Sequence, residues 1–237
     1  GFTSSLDCVN GIEPPLRDMG LVTRMPVLRG HGAASPEALR GVTWHDWLAD
    51  AEAAYRSLAG EAEKVIVFGH SMGGLLALNL AASHSSGLDS LIVAAAAVQL
   101  DNPAAPGRPF SFVIPLLTRV LARWNMPPKY AQRELGQYDT NYRWAPTDAL
   151  RSFLELSQQT RPKLAQITAP TLILQSRRDT TVAPESAEII YREISTPPEH
   201  KRIVWFEQTE HEMFRDCERD ETIGAVVGYI RERTGLG

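Results

Sequence analysis

The sequence predicts an α/β architecture with a mostly parallel central sheet, and three observations carry that prediction. Short apolar runs rich in β-branched residues recur at 64–68, 91–95, 171–175 and 202–206. They are continuous rather than alternating, which is the pattern of strands covered on both faces. Longer segments with apolar residues at helical spacing lie between them, so strands and helices alternate along the chain. With 237 residues, 43% of them hydrophobic and 22% charged, the chain has the size and apolar content of one globular domain with a substantial core.

Taken in order, residues 5–19 are expected to contain a helix interrupted by Pro14-Pro15. Leu21–Leu28 holds the first strand candidate, with Pro26 suited only to a strand end. Thr43 is placed to cap a helix that carries Trp44, Trp47, Leu48, Ala51 and Tyr55 on one face. Lys64–Phe68 is the clearest strand and leads into a helix over 74–82. Pro184 suits the first turn of a helix reaching Ile194, and Asp220–Arg233 reads as the closing helix.

Residues 99–146 break this rhythm. Asn102–Pro109 is a loop by composition, Phe110–Trp124 is strongly apolar and helix-like, and Pro127-Pro128 stops it. An insertion of about 45 residues is too long for a plain connection. The expected division is a single core of 1–98 and 147–237 with a cap inserted at 99–146.

Composition narrows the function classes. Lys plus Arg number 24 against 28 Asp plus Glu, a net charge of −4 with no basic stripe, which argues against nucleic-acid binding through phosphate neutralisation. No run approaches the ~18–20 apolar residues of a membrane span. Cys8 and Cys217 are too few for a disulfide framework or a zinc site, although one bridge between them stays open. Cytoplasm is the placement expected from composition; the chain starts at Gly1 without an initiator Met, so residues ahead of it are expected to be missing and a signal peptide among them stays open.

The chemistry concentrates at Gly69-His70-Ser71-Met72-Gly73, which follows a strand and precedes a helix. In that context G-x-S-x-G is a nucleophile elbow: a tight turn thrusts Ser71 out at the top of the sheet, above a helix N-terminus that favours developing negative charge. A serine hydroxyl needs a base to take its proton and a third group to orient that base. Asp179 leaves the strand at 171–175 and is the candidate acid, with Asp101, after the strand at 91–95, as the rival. Among six histidines, His211 lies just past the last strand, in the chain order Ser…Asp…His. His70 sits inside the elbow, His45 on the Trp44/Trp47 helix, and His84 and His200 on surface-like segments. Glu210 and Glu212 flank His211; a carboxylate near the ring would favour the imidazolium and move the activity optimum alkaline. The backbone N–H groups of Met72 and Phe2 are the candidate oxyanion donors.

Beyond the elbow, Gly1-Phe2-Thr3-Ser4, Arg29-Gly30-His31-Gly32, Trp44-His45-Asp46-Trp47, Ala169-Pro170-Thr171 through Asp179, and Trp205-Phe206 through His211 complete a pattern spanning nearly the whole chain. It resembles the α/β-hydrolase superfamily, in particular the small bacterial carboxylesterases and monoacylglycerol lipases. The resemblance implies Ser71 as nucleophile, Asp179 as acid, His211 as base, Phe2 and Met72 as oxyanion hole, and 99–146 as a cap over the acyl pocket. Two departures stand out. Members carry a His-Gly-Phe run preceded by a strand, so the resemblance implies one or more strands ahead of Gly1. They also have a small residue where this chain has Glu210.

His31, Phe112, Ile114, Leu117 and Trp124 are the candidates for lining the substrate pocket, with simple packing on the core as the competing role for the cap residues. The expected activity is hydrolysis of carboxylic esters of small or medium acyl chains through an acyl-enzyme on Ser71. Thioesters, lactones or polyesters are alternative substrates, and a catalytically silent binding scaffold is the alternative from a different class. No metal or cofactor is expected, since the histidines lack ligand spacing such as H-E-x-x-H. The expected partner is a small-molecule acyl ester, with no nucleic acid and no integral membrane segment, and the oligomeric state stays open.

Overall fold

A computed structural model describes residues 1–85 and 87–236. Its main sheet has four strands, β1 (Ile66–His70), β2 (Ser90–Ala94), β5 (Thr171–Ser176) and β6 (Lys201–Phe206), paired in that order and all parallel. Two further short strands, β3 (Arg123–Asn125) and β4 (Trp144–Pro146), pair antiparallel within residues 99–146. The helices are α1 (Glu13–Asp18), α2 (Trp44–Ala59), α3 (Met72–Ser83), α4 (Val113–Leu117), α5 (Thr147–Thr160), α6 (Glu185–Glu193) and α7 (Arg219–Thr234).

The buried strands divide their side chains between two cores with the period of two that a pleated sheet imposes. Leu91, Val93 and Ile173 join Trp47, Leu75, Leu78, Phe153 and Ile190 on the face covered by α2, α3, α5 and α6. Ile92, Ala94, Leu172 and Leu174 point the other way and meet Ile12, Phe206, Val226 and Ile230, beneath α1 and α7. Burial on both faces is why these runs read as continuously apolar. On α2, the Asp46 carboxylate accepts from both the amide and the hydroxyl of Thr43, which closes the helix start.

Several elements differ from the sequence expectation. Pro14 and Pro15 do not interrupt a helix but open one, occupying the first turn of α1, where no amide is required. Residues 21–28 form no regular secondary structure and join no sheet ladder. They line, together with Ile66, Val67 and Phe68 of β1, an apolar groove of ≈ 580 Å³. Phe110–Trp124 is not one helix: α4 covers five residues, and Arg123–Asn125 is drawn into the β3–β4 hairpin. That stretch offers no single face to bury, since Phe110, Phe112, Leu116 and Val120 all face solvent. The cysteines Cys8 and Cys217 are both free thiols, so the bridge left open by the sequence does not form. Among the described residues, no helix is long and apolar enough to cross a membrane.

The elbow glycines are not equivalent. A Cβ on Gly69 would lie 2.1 Å from the Gly73 carbonyl oxygen, and one on Gly74 would lie 2.6 Å from the Ala96 Cβ. A Cβ on Gly73 would meet nothing within 4 Å. Gly69→Ala is therefore expected to cost on the order of 3 kcal/mol or more, whereas Gly73→Ala stays within about 1 kcal/mol of the parent. Denaturant unfolding of both variants checks this.

Candidate active site

Ser71 sits between β1 and α3 with φ 55° and ψ −118°, a region L-residues with a side chain rarely occupy. Hydrogen bonds hold it there from both sides. Its N–H donates to the Ala94 carbonyl (2.9 Å), and its carbonyl accepts from Gly74 (3.0 Å) and Ala97 (3.3 Å). The main chain of the elbow is thus tied to β2, to the turn after β2 and to the first turn of α3.

Asp179 and His211 leave the carboxyl ends of β5 and β6, the end of the sheet at which Ser71 also lies. His211 Nε2 is 3.0 Å from Ser71 Oγ, and His211 Nδ1 is 2.8 Å from Asp179 Oδ2. A carboxylate only accepts, so the proton of the neutral ring lies on Nδ1 and Nε2 is left to receive the serine proton. The second oxygen of Asp179 accepts from the amides of Thr181 and Val182, both at 2.8 Å, which fixes the carboxylate plane. Asp101, the rival acid, is exposed; only its backbone reaches this region, donating to the Thr181 carbonyl.

Ser71, Asp179 and His211 are all buried. Burial opposes the imidazolium, but Asp179 across the short hydrogen bond outweighs it. Glu212 and Glu210 add to that, and the His211 pKa is pushed up to about 9. His70 moves the opposite way: buried beside the His211 ring, 5.1 Å between centroids, it is held well below the usual imidazole range. Its Nε2–H donates to the His211 carbonyl at 3.0 Å, so the elbow histidine braces the base loop without reaching the serine hydroxyl.

The Phe2 ring is buried, stacked on Phe153 at 4.9 Å and edge-on to Trp47. The neighbouring Gly1 lies close to the nucleophile, such that a Cβ there would be 3.5 Å from the Ser71 Cβ. Thr3 adopts φ 64°, and its carbonyl accepts from the Tyr142 amide at 2.9 Å, which ties residues 99–146 to this turn. Met72 is the first residue of α3, where helix geometry leaves the amide without an intrahelical acceptor.

The candidate pocket residues are not gathered in one place. Ile114 is buried in the main core and Trp124 packs against it, whereas Phe112 is 67% exposed and Leu117 37% exposed. His31 is buried edge-on to Trp47 with Nδ1 on the Arg29 carbonyl, and burial lowers its pKa to about 4. His45 stacks on Trp44, His84 pairs with Glu52, and His200 lies in the turn before β6.

Several residues absent from the sequence reading organise the base loop. Glu218 accepts from the successive amides of residues 207, 208 and 209, and Asp216 accepts from the amides of Glu210, Ala131 and Gln132. Ser176 donates to the Thr209 carbonyl, linking β5 to the same loop. Asn141 donates to the buried Glu212 carboxyl, which burial pushes above the usual carboxylate range. Among the described residues, no cluster of three or more His, Cys, Asp or Glu is arranged to hold a metal ion.

The family model described as "Serine aminopeptidase, S33" matches residues 12–218. The chain belongs to this family. A thermostable monoacylglycerol lipase from Bacillus sp. (strain H-257) is 28% identical, over 99% of this chain and 89% of that protein. A carboxylesterase from Bacillus subtilis (strain 168) is 25% identical, over 93% of this chain and 85% of its own. In three dimensions the chain superposes with a TM-score of 0.87 on a structure from the metagenome-derived lipolytic enzymes LipS and LipT (24% identity, 98% of this chain, 91% of the other). The monoacylglycerol lipase of Paleococcus ferrophilus gives 0.75 (18% identity, 99% and 92%). These likenesses establish the α/β-hydrolase fold.

The raised His211 pKa has a kinetic consequence for the family's serine chemistry. The base acts when neutral, so kcat/KM is expected to climb about tenfold per pH unit through neutrality and to level off only near pH 9. A pH profile from 5 to 10 checks this, and an acid limb at the ordinary histidine value contradicts it.

Proposed function

We propose that the chain hydrolyses carboxylic esters of small or medium acyl chains through an acyl-enzyme on Ser71. The observation that carries this reading is the continuous hydrogen-bond line from Ser71 Oγ through His211 to Asp179. Neutral His211 takes the hydroxyl proton at Nε2 as Oγ attacks the ester carbonyl, and Asp179 stabilises the imidazolium that forms. The Met72 and Phe2 amides are assigned to the developing oxyanion. The alcohol leaves with the proton from Nε2, and His211 then activates the water that releases the acid and restores Ser71.

The named relatives, a monoacylglycerol lipase and a carboxylesterase, support an ester rather than an amide as the substrate. Residues 99–146 are assigned to a cap, and its hydrogen bonds to Thr3 through Tyr142 and to Glu212 through Asn141 favour that role. Within this reading a cap residue such as Ile114 or Trp124 limits the acyl chain from the inside, while Phe112 and Leu117 belong to its outer surface.

A p-nitrophenyl ester series from acetate to laurate, run beside a thioester, a lactone, a polyester and an aminoacyl p-nitroanilide, tests the assignment. Turnover of the oxygen esters, with an optimum at short or medium length and a loss of at least about a thousandfold in Ser71→Ala, is the expected result. Preference for the anilide or the thioester, or turnover that survives Ser71→Ala, contradicts it.

A further inference from the structure

Glu210 is buried, and both of its carboxylate oxygens are engaged in a way no packing role requires. Oε2 accepts from the backbone amide of His211 at 2.5 Å. Oε1 accepts from the amide of Thr180 at 2.9 Å and from the Thr180 hydroxyl. Thr180 directly follows Asp179, so one carboxylate holds the base on one side and the residue after the acid on the other. The Thr180 hydroxyl also accepts from Lys129 Nζ at 3.2 Å, which brings the inserted segment to the same point.

We propose that Glu210 is a positioning residue that sets the separation of the acid loop and the base loop and places a carboxylate directly beside His211. This rests on the reading of Ser71, His211 and Asp179 as the reacting set. Alternatives of similar shape do not satisfy the same donors. Glutamine has one accepting oxygen, so its NH₂ would face one of the two amides, donor against donor. Aspartate is one methylene shorter and cannot span both loops. The position is therefore a carboxylate bridge between the ends of β5 and β6, in addition to the Ser176 contact with the Thr209 carbonyl.

The charged and titratable groups around His211 come from every element packed on it. Asp179 lies on the loop after β5, His70 at the end of β1, and Glu210 and Glu212 on its own loop. Asp216 and Glu218 hold the backbone of that loop, and Lys129 approaches through Thr180. Asp139 and Arg215 act on Glu212 from outside it. Of these, Glu210 alone bonds both to the base's own amide and to the residue adjoining the acid.

The test is Glu210→Gln in the full chain, with Thr180→Val beside it and the ring nitrogens of His211 titrated by NMR. The NMR readout is independent of turnover. For Glu210→Gln the expected result is a kcat reduced on the order of tenfold or more with KM little changed, because a displaced base loses orientation rather than substrate contacts. The His211 titration midpoint and the acid limb of kcat/KM are expected to move together to lower pH, by about half a unit. Thr180→Val keeps the charge and both amide bonds and removes only the hydroxyl contact, so it is expected to lower kcat while leaving the midpoint in place. A Glu210→Gln protein with an unmoved midpoint overturns the proposal, even if its melting temperature falls, because loss of stability alone is what a structural role would give. Should Glu210→Gln fail to fold, an unchanged kcat in Thr180→Val overturns it. If the parent turns over no ester, the reading of the triad fails, and the NMR midpoint still decides whether Glu210 governs His211.

Discussion

Ser71 is held at φ 55° by neighbours that leave it no alternative, and the geometry of the site is referred to that constraint. The strand before it and the helix after it can approach only because residues 69 and 74 lack side chains: the Gly73 carbonyl fills the space beside Gly69, and Ala96 that beside Gly74. The same crowding brings the Ser71 carbonyl within reach of the Ala97 amide. Backbone strain of this kind persists only where surrounding structure over-determines it. Here the parallel sheet supplies that structure, and the carboxyl ends of β5 and β6 deliver Asp179 and His211 to the same level.

A second constraint is electrostatic. The loop carrying His211 is threaded by carboxylates: Glu218 and Asp216 hold its amides, Glu210 and Glu212 flank the ring, and Asp179 bonds to it. Such a frame orders the loop, and it also favours the protonated ring. With a pKa of about 9, neutral imidazole amounts to on the order of 1% at pH 7. The linkage runs in the opposite sense for stability. A histidine pKa raised by folding contributes stability that is fully present below the unfolded value near 6.5 and is lost as pH rises through about 9. Conditions that free the base for chemistry therefore loosen the loop that presents it.

What could be read from sequence divides along the reach of the interactions. The elbow was legible because strand, turn and helix are contiguous over 66–83, and Asp179 and His211 because each closes an apolar strand in a recognisable order. The two cores were legible in the same way, from continuous apolar runs. Elements set by distant partners were not. Arg123–Asn125 reads as the end of a helix until Trp144–Pro146 is laid beside it, and the exposure of Phe112 is set by packing that its local sequence does not give. The run at 21–28 had the composition of a strand, but composition does not supply a ladder partner. Glu210 was noticed in sequence only as an acidic neighbour of His211; its function as a bridge depends on Thr180, thirty positions away.

Ser71 is proposed as a nucleophile activated by the His211–Asp179 pair. Reaction with a fluorophosphonate, followed by intact mass and peptide mapping, tests it without assuming any substrate. One adduct per chain is expected, on the peptide containing Ser71, formed faster as pH rises toward 9 and at least about a hundredfold more slowly in His211→Ala. A folded protein that stays unlabelled, or one labelled elsewhere with Ser71 untouched, would contradict it.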